Sequence, residues 1–304
     1  MTDQCEDWIS PKGVISEVAA AVPSECLGNI VIVGSLAAGY RFFSGDAEQY
    51  LIQTKDVDCV IRPRIAALSA GKEVTEHLFE GGWTYHPTEE FPEPGKAGDE
   101  KLPVVRLKPP TGGGWFLELL TVPEDEDDFG RRYLTVETGH GHFSLCSFGG
   151  IALTEFDPLP TPEGIAIARP EMMALSNMLH HPEIGEQRMS GLFAGRSIKR
   201  SNKDLGRVLA LAYLDERRDA DALMDWGTAW KAGLRECFPE TCEEKAHRAG
   251  DGIRALLESP DDLEEAVHTC QYGLLASMSP SFEALQAAGA RLVADAIEPL
   301  ESTS

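Results

Sequence analysis

Short apolar runs alternate with helically spaced stretches through the first half of the chain, and the alternation stops near position 168. Residues 14–21 carry the spacing of a helix, with Pro23 just beyond. Asn29-Ile30-Val31-Ile32-Val33, β-branched from Ile30 on, reads as a buried strand and ends at Gly34-Ser35. Residues 36–41 then look helical, with Ser35 placed as a cap or first-turn residue. Asp58-Cys59-Val60-Ile61 is a second strand, stopped by Arg62-Pro63, and residues 65–80 form a helix closed by Gly81-Gly82. Residues 102–108 and 115–122 are strand-like and flank Pro109-Pro110-Thr111-Gly112-Gly113-Gly114, which predicts a hairpin. Residues 84–101, rich in proline and charge, read as a loop or mobile insert, and 123–128 as a solvated acidic run. Residues 142–148 and 165–168 offer two more short strands.

At Arg169-Pro170-Glu171 the pattern changes, since proline in a first turn followed by an acid is a helix start. Met172, Met173, Leu175, Met178 and Leu179 repeat at helical spacing, as do Leu205, Val208, Leu209 and Leu211. Further helices are predicted over 219–234, 242–257, 262–276 and 281–296, and no strand after about 168. The expected fold is therefore α/β (α+β), with a mixed-sheet domain over 1–168 followed by an all-helical domain over 169–304.

Composition narrows the class. With 42% apolar and 25% charged residues in 304, the chain can bury a core and is neither disordered nor fibrous. No apolar run approaches the length of a membrane span. An acidic start without a basic-then-apolar plan, and seven scattered cysteines, fit a cytoplasmic protein with reduced thiols. The 27 basic residues against 50 acidic ones give a net charge of −23, which argues against broad nucleic-acid binding. One stretch reverses the local field: Arg188, Arg196, Lys199, Arg200, Lys203 and Arg207 stand against Glu186 and Asp204. Its plain reading is a helix face pairing with nearby acids; its functional reading is a dock for phosphates.

Three features carry chemistry. A buried strand ends in Gly34-Ser35 and enters a helix; Thr54-Lys55-Asp56-Val57-Asp58 follows; and Glu118 is a lone acid within Phe116-Leu117-Glu118-Leu119-Leu120. Along a strand Asp56 and Asp58 project to one face, where their repulsion calls for a cation. Mg²⁺ suits one or two carboxylates plus substrate phosphates, and a third acid would allow two ions, with Mn²⁺ as a substitute. The glycine turn and helix start offer N–H groups to a polyphosphate. Thr54 shares the aspartates' face and is placed to orient them. Each piece alone has a plainer reading: a solvated strand end, ordinary turn chemistry, or an edge strand wet on one side. His140-Gly141-His142 and Cys237, Cys242 with His247 lack the spacing of metal sites, and Gly112-Gly113-Gly114 lacks the ending of a phosphate-binding loop.

The set taken together resembles the nucleotidyltransferase superfamily with the DNA-polymerase-β-like fold, whose signature is a Gly-Ser turn, Asp-x-Asp, and a third acid on a later strand. Within it the chain is most similar to the abortive-infection toxins of the AbiE type. Ala168-Arg169-Pro170-Glu171-Met172-Met173 is similar to that group's Pro-Glu helix start, and Arg200-Ser201-Asn202-Lys203-Asp204 to its Arg-x-x-Lys-Asp element. The resemblance covers about residues 28–212, with Ser176-Asn177 where the group usually has a lysine. It implies an enzyme that moves a nucleoside monophosphate from an NTP to an acceptor: a tRNA end, a protein or a small molecule. Asp56, Asp58 and Glu118 would be catalytic and hold Mg²⁺, with Glu118 helping to deprotonate the acceptor. Gly34 and Ser35 would grip the phosphates, and Arg200 and Lys203 would contact them with Asp204 orienting the pair. A role in a toxin–antitoxin or phage-defence system with an antitoxin partner goes with the resemblance. The alternative is a catalytically retired scaffold acting as a binding or regulatory module.

Overall fold

The structure, a computed structural model, describes residues 8–43, 51–124 and 130–302; Cys5 and most of the acidic run lie outside them. Helix and strand are mixed, as the α+β expectation has it. The chain divides into two compact units, Met1–Ile151 with Pro158–Ala168, and Ala152–Asp157 with Arg169–Ser304. The short segment Ala152–Asp157 thus groups with the helices, not with the sheet.

The first unit runs β1 (Trp8–Ile9), α1 (Pro11–Ala21), β2 (Ile30–Ile32), α2 (Gly34–Phe43), β3 (Ile52–Gln53), β4 (Asp56–Ile61), α3 (Arg64–Glu80) and β5 (Thr84–Tyr85). It continues with β6 (Arg106–Lys108), β7 (Phe116–Thr121), β8 (Arg132–Thr138), β9 (Gly141–Ser147), β10 (Leu159–Pro160) and β11 (Ala166–Ile167). Among the described residues nine strands form one mixed sheet in the order β10-β11-β2-β4-β7-β6-β5, with β9 joining β7 and β8 outside β9. Helix α1 starts earlier than its apolar spacing suggests, because the Ser10 side chain accepts from Gly13 N at 3.3 Å and Pro11 takes the first turn.

The expected hairpin is β6–β7, antiparallel. Strand β8 was not among the expected strands, although Leu134 and Val136, half-buried and buried, alternate along it with the exposed Tyr133, Thr135 and Glu137. The 84–101 insert is a loop but is pinned, with His142 N donating to Gly95 O at 2.8 Å and Tyr85 Oη to Phe91 O at 2.9 Å. One face of the sheet is sealed. Val57, Cys59, Ile61, Leu117 and Leu119 have no solvent exposure, and α3 packs on β4 and β7. A Cβ on Gly71 of α3 would fall 2.9 Å from Leu145 Cδ1, so helix and sheet touch there without a spacer.

The second unit holds α4 (Pro170–Ile184), α5 (Arg200–Arg218), α6 (Ala222–Cys237), α7 (Cys242–Arg248), α8 (Asp251–Glu258), α9 (Pro260–Gln271), α10 (Phe282–Leu292) and α11 (Glu298–Ser302). Its centre is α5, which buries Leu205, Val208, Leu209, Leu211 and Leu214 and packs on α4, α9 and α10. The single helix expected over 242–257 is two. The chain breaks at Ala249-Gly250, where Ala249 is fully buried and a Cβ on Gly250 would collide with Ile297 and sit 2.6 Å from Arg254 Nη1. The helix expected to 276 ends at Gln271. Among the described residues no helix is long and apolar enough to cross a membrane, and the described cysteines form no disulfide.

Gly206 separates two opposing effects. Alanine is the better helix former by ~1 kcal/mol, but a Cβ at Gly206 would collide with Thr269 Oγ1 and lie 2.7 Å from Ala266 O, on the backbone of α9. Overpacking of this kind costs ~1–3 kcal/mol. The Gly206→Ala variant is therefore expected to be less stable than wild type by ~1 kcal/mol or more in urea unfolding, and a gain in stability would refute the close α5–α9 packing.

Candidate functional site

Pairing of β4 with β7 assembles the carboxylates. In their parallel register Asp56 stands opposite Phe116 and Asp58 opposite Glu118. Residues opposite one another share a face, so all three expected acids project from the face opposite the one α3 seals. Glu118 is not on an edge strand: β7 is flanked by β4, β6 and β9, and the Glu118 side chain keeps 14% exposure. The alternation around it comes from a central strand with one sealed face.

The glycine turn meets the same acids. Strand β2 runs antiparallel to β4, and Val33 N donates to Asp58 O at 2.9 Å. Gly34 then takes φ +71°, and a Cβ there would fall 3.2 Å from Asp58 Oδ2. Both the left-handed backbone and the crowding favour glycine. Ser35 sits half-buried in the first turn of α2, which starts at Gly34, rather than capping it. Thr54, buried, donates from Oγ1 to Asp56 Oδ1 at 2.8 Å and so fixes that carboxylate.

Arg106 was not among the expected residues. It faces Glu118 across the β6–β7 register and donates from Nε to Glu118 Oε2 at 2.5 Å. Its guanidinium lies 5.6 Å from the Phe116 ring centroid, on whose ring His86 stacks at 4.4 Å and 17°. The sequence did hold a signal for it: positions 106 and 118 are equidistant from Gly112, the middle of the hairpin loop. Burial raises the Glu118 pKa, the charge and hydrogen bond of Arg106 lower it, and Asp56 raises it; the outcome lies above the usual carboxylate value. Burial works against the charge on Arg106, but Glu118 and then Asp58 and Asp56 outweigh it and push its pKa up. Burial, with Lys108, Arg106 and Lys55 nearby, pulls His86 down to about 4.

Among the described residues no three or more His, Cys, Asp or Glu side chains gather as a metal site. Asp56 and Asp58, hard oxygen donors side by side on β4, fit a divalent cation. Glu118 has one carboxylate oxygen, Oε2, engaged by Arg106 Nε. His140 stacks on Phe79 at 4.4 Å and His142 approaches Glu137 at 4.0 Å, which leaves that motif a structural turn.

The basic stretch belongs to the helical unit, and much of it is paired there. Lys199 meets Glu186 and Asp262 at 2.9 Å each, Arg196 meets Glu264 at 2.8 Å, and Arg188 meets Glu265 at 3.3 Å. Asp204 pairs with Arg207 at 3.6 Å, and Lys203 lies 5.9 Å from the Phe193 ring centroid; Arg200 opens α5. The plain reading of this stretch accounts for those pairs. Ser176, at the position of the expected lysine, is buried in α4. No known protein family, curated protein or solved structure matches the chain.

The His86 shift has a signed consequence. Its folded pKa, about 4, lies below the ordinary histidine value of 6.5, so the neutral ring favours the folded state. As pH falls below 6.5 the unfolded chain gains a proton that the folded chain refuses until about 4, and stability is lost over that window. His86→Phe keeps an aromatic ring on Phe116 without a titrating nitrogen. Unfolding curves collected between these pH values should show a shallower acid loss for the variant than for wild type; identical slopes would place the histidine in water.

Proposed function

We propose that this chain is a metal-dependent nucleotidyltransferase that moves a nucleoside monophosphate from an NTP to an acceptor hydroxyl or phosphate and releases pyrophosphate. One observation carries the reading: Asp58 sits on a strand face shared with Asp56 and Glu118, and its carboxylate lies against the left-handed Gly34 at the start of α2. Acids that would attract a cation thus adjoin a helix start that would attract phosphate.

Asp56 and Asp58 would hold Mg²⁺, with Mn²⁺ as a substitute, and the ion when bound would supply Lewis-acid polarisation of a phosphoryl oxygen. The chain's own groups do the rest. Thr54 keeps Asp56 in one orientation through its 2.8 Å bond. The backbone at Gly34 and Ser35 presents N–H groups to the terminal phosphates of the NTP, which orients the phosphorus for in-line attack. Such a site works by positioning and charge. For the acceptor, a tRNA end, a protein or a small molecule each fit, and the net charge of −23 disfavours broad RNA affinity. The setting we propose, on the resemblance in its motifs, is a toxin of a toxin–antitoxin or phage-defence pair. The retired-scaffold reading has one observation in its favour, the capture of Glu118 by Arg106.

The test uses each α-labelled NTP with Mg²⁺ and a cell extract. Wild type should label an acceptor, and Asp56→Asn or Asp58→Asn should abolish labelling. In chemical unfolding those variants should be as stable as wild type or up to ~1 kcal/mol more so, because each removes repulsion within the pair. Wild type that labels nothing and gains no stability from any Mg²⁺–NTP would favour the retired scaffold.

A further inference from the structure

The face that carries the aspartates also holds one cation fixed from a neighbouring strand. Arg106 is set opposite Glu118 by register, bonded to it at 2.5 Å, and laid over Phe116, whose other contact is the His86 ring. A carboxylate as enclosed as Glu118 needs a counter-charge, and the guanidinium already supplies it. A metal ion on Glu118 would stand beside Arg106, cation against cation.

We infer that Glu118 is not a third metal carboxylate but the anchor of Arg106, and that Arg106 is a positioning residue beside a one-ion site formed by Asp56 and Asp58. This rests on the preceding reading that the aspartate pair holds a divalent ion. Among the described residues, the hydrogen bond of Arg106 to Glu118 runs through Nε, and its terminal N–H groups make none. Those planar, charged donors match the oxygens of a phosphate. Substrate phosphates would therefore meet one metal ion and one guanidinium.

Mn²⁺ titrated into the full chain, with and without a non-hydrolysable analogue of each of the four common NTPs and followed by electron paramagnetic resonance, tests the stoichiometry. The expected result is one Mn²⁺ per chain, a loss of more than about tenfold in affinity for Asp58→Asn, and a change under about threefold for Glu118→Gln. At fixed Mn²⁺, affinity for the nucleotide analogue should fall about tenfold or more in Arg106→Gln, with partial recovery in Arg106→Lys, which keeps the charge without the fork. Glu118→Gln retains an acceptor for Nε and serves as the variant that keeps the fold if Arg106→Gln loses it. Two Mn²⁺ per chain, or a loss in Glu118→Gln equal to that in Asp58→Asn, overturns the inference while leaving the metal-dependent reading intact. Unchanged nucleotide affinity in Arg106→Gln overturns the positioning role. Absence of Mn²⁺ binding by wild type under every condition overturns the metal-dependent reading, and the inference with it.

Discussion

A carboxylate on a central strand costs several kcal/mol to desolvate unless a counter-charge is fixed beside it. Glu118 is in that position, and the surrounding sheet is arranged to meet the cost. Strand β6 brings Arg106 opposite it and the Phe116–His86 stack flanks the guanidinium, while β4 sets the like charge of Asp58 on its other side and so makes that cation the more necessary. The opposite face of the same two strands is fully enclosed, which holds the register: a slip by one residue would turn Asp56, Asp58 and Glu118 into the core under α3.

The Gly34 turn depends on that same register. Because β2 is locked to β4 with Ile32 opposite Cys59, the chain leaves the sheet beside Asp58 and must turn there in a left-handed conformation. Helix α2 then begins against a carboxylate. A helix N-terminus and an acid at contact favour each other electrostatically.

The helical unit solves a different electrostatic problem. Helix α5 opens without a side-chain cap, and acids from α9 serve instead. Glu265 accepts from Lys199 N at 2.9 Å, and Asn202 Nδ2 donates to Asp262 at 2.8 Å and to Glu265 at 2.9 Å. The same two acids pair with Lys199 and Arg188, so a run that stands out as basic in the sequence is neutralised in space by a helix some sixty positions later. Where Gly206 faces α9, the absence of a Cβ lets the two helices approach closely.

The apolar and polar pattern by itself determined the α+β class, the break in pattern near 168, the β6–β7 hairpin and the one-sided projection of Asp56 and Asp58. These follow from short-range periodicity, which each segment carries whatever its neighbours are. Strand β8 carries an alternation of its own, but with only Leu134 and Val136 as aliphatic residues on its covered face the signal is short, and the break at Gly250 was illegible because the residue it must clear, Ile297, is distant in sequence. Thr54 was legible from its place two residues before Asp56, although it lies between β3 and β4 rather than on either strand. Arg106 was not, although the symmetry of the hairpin about Gly112 contained its register. Its importance arises only when three strands place Asp58, Glu118 and a guanidinium on one face, and charges that meet across strands interact through distances that tertiary structure alone decides.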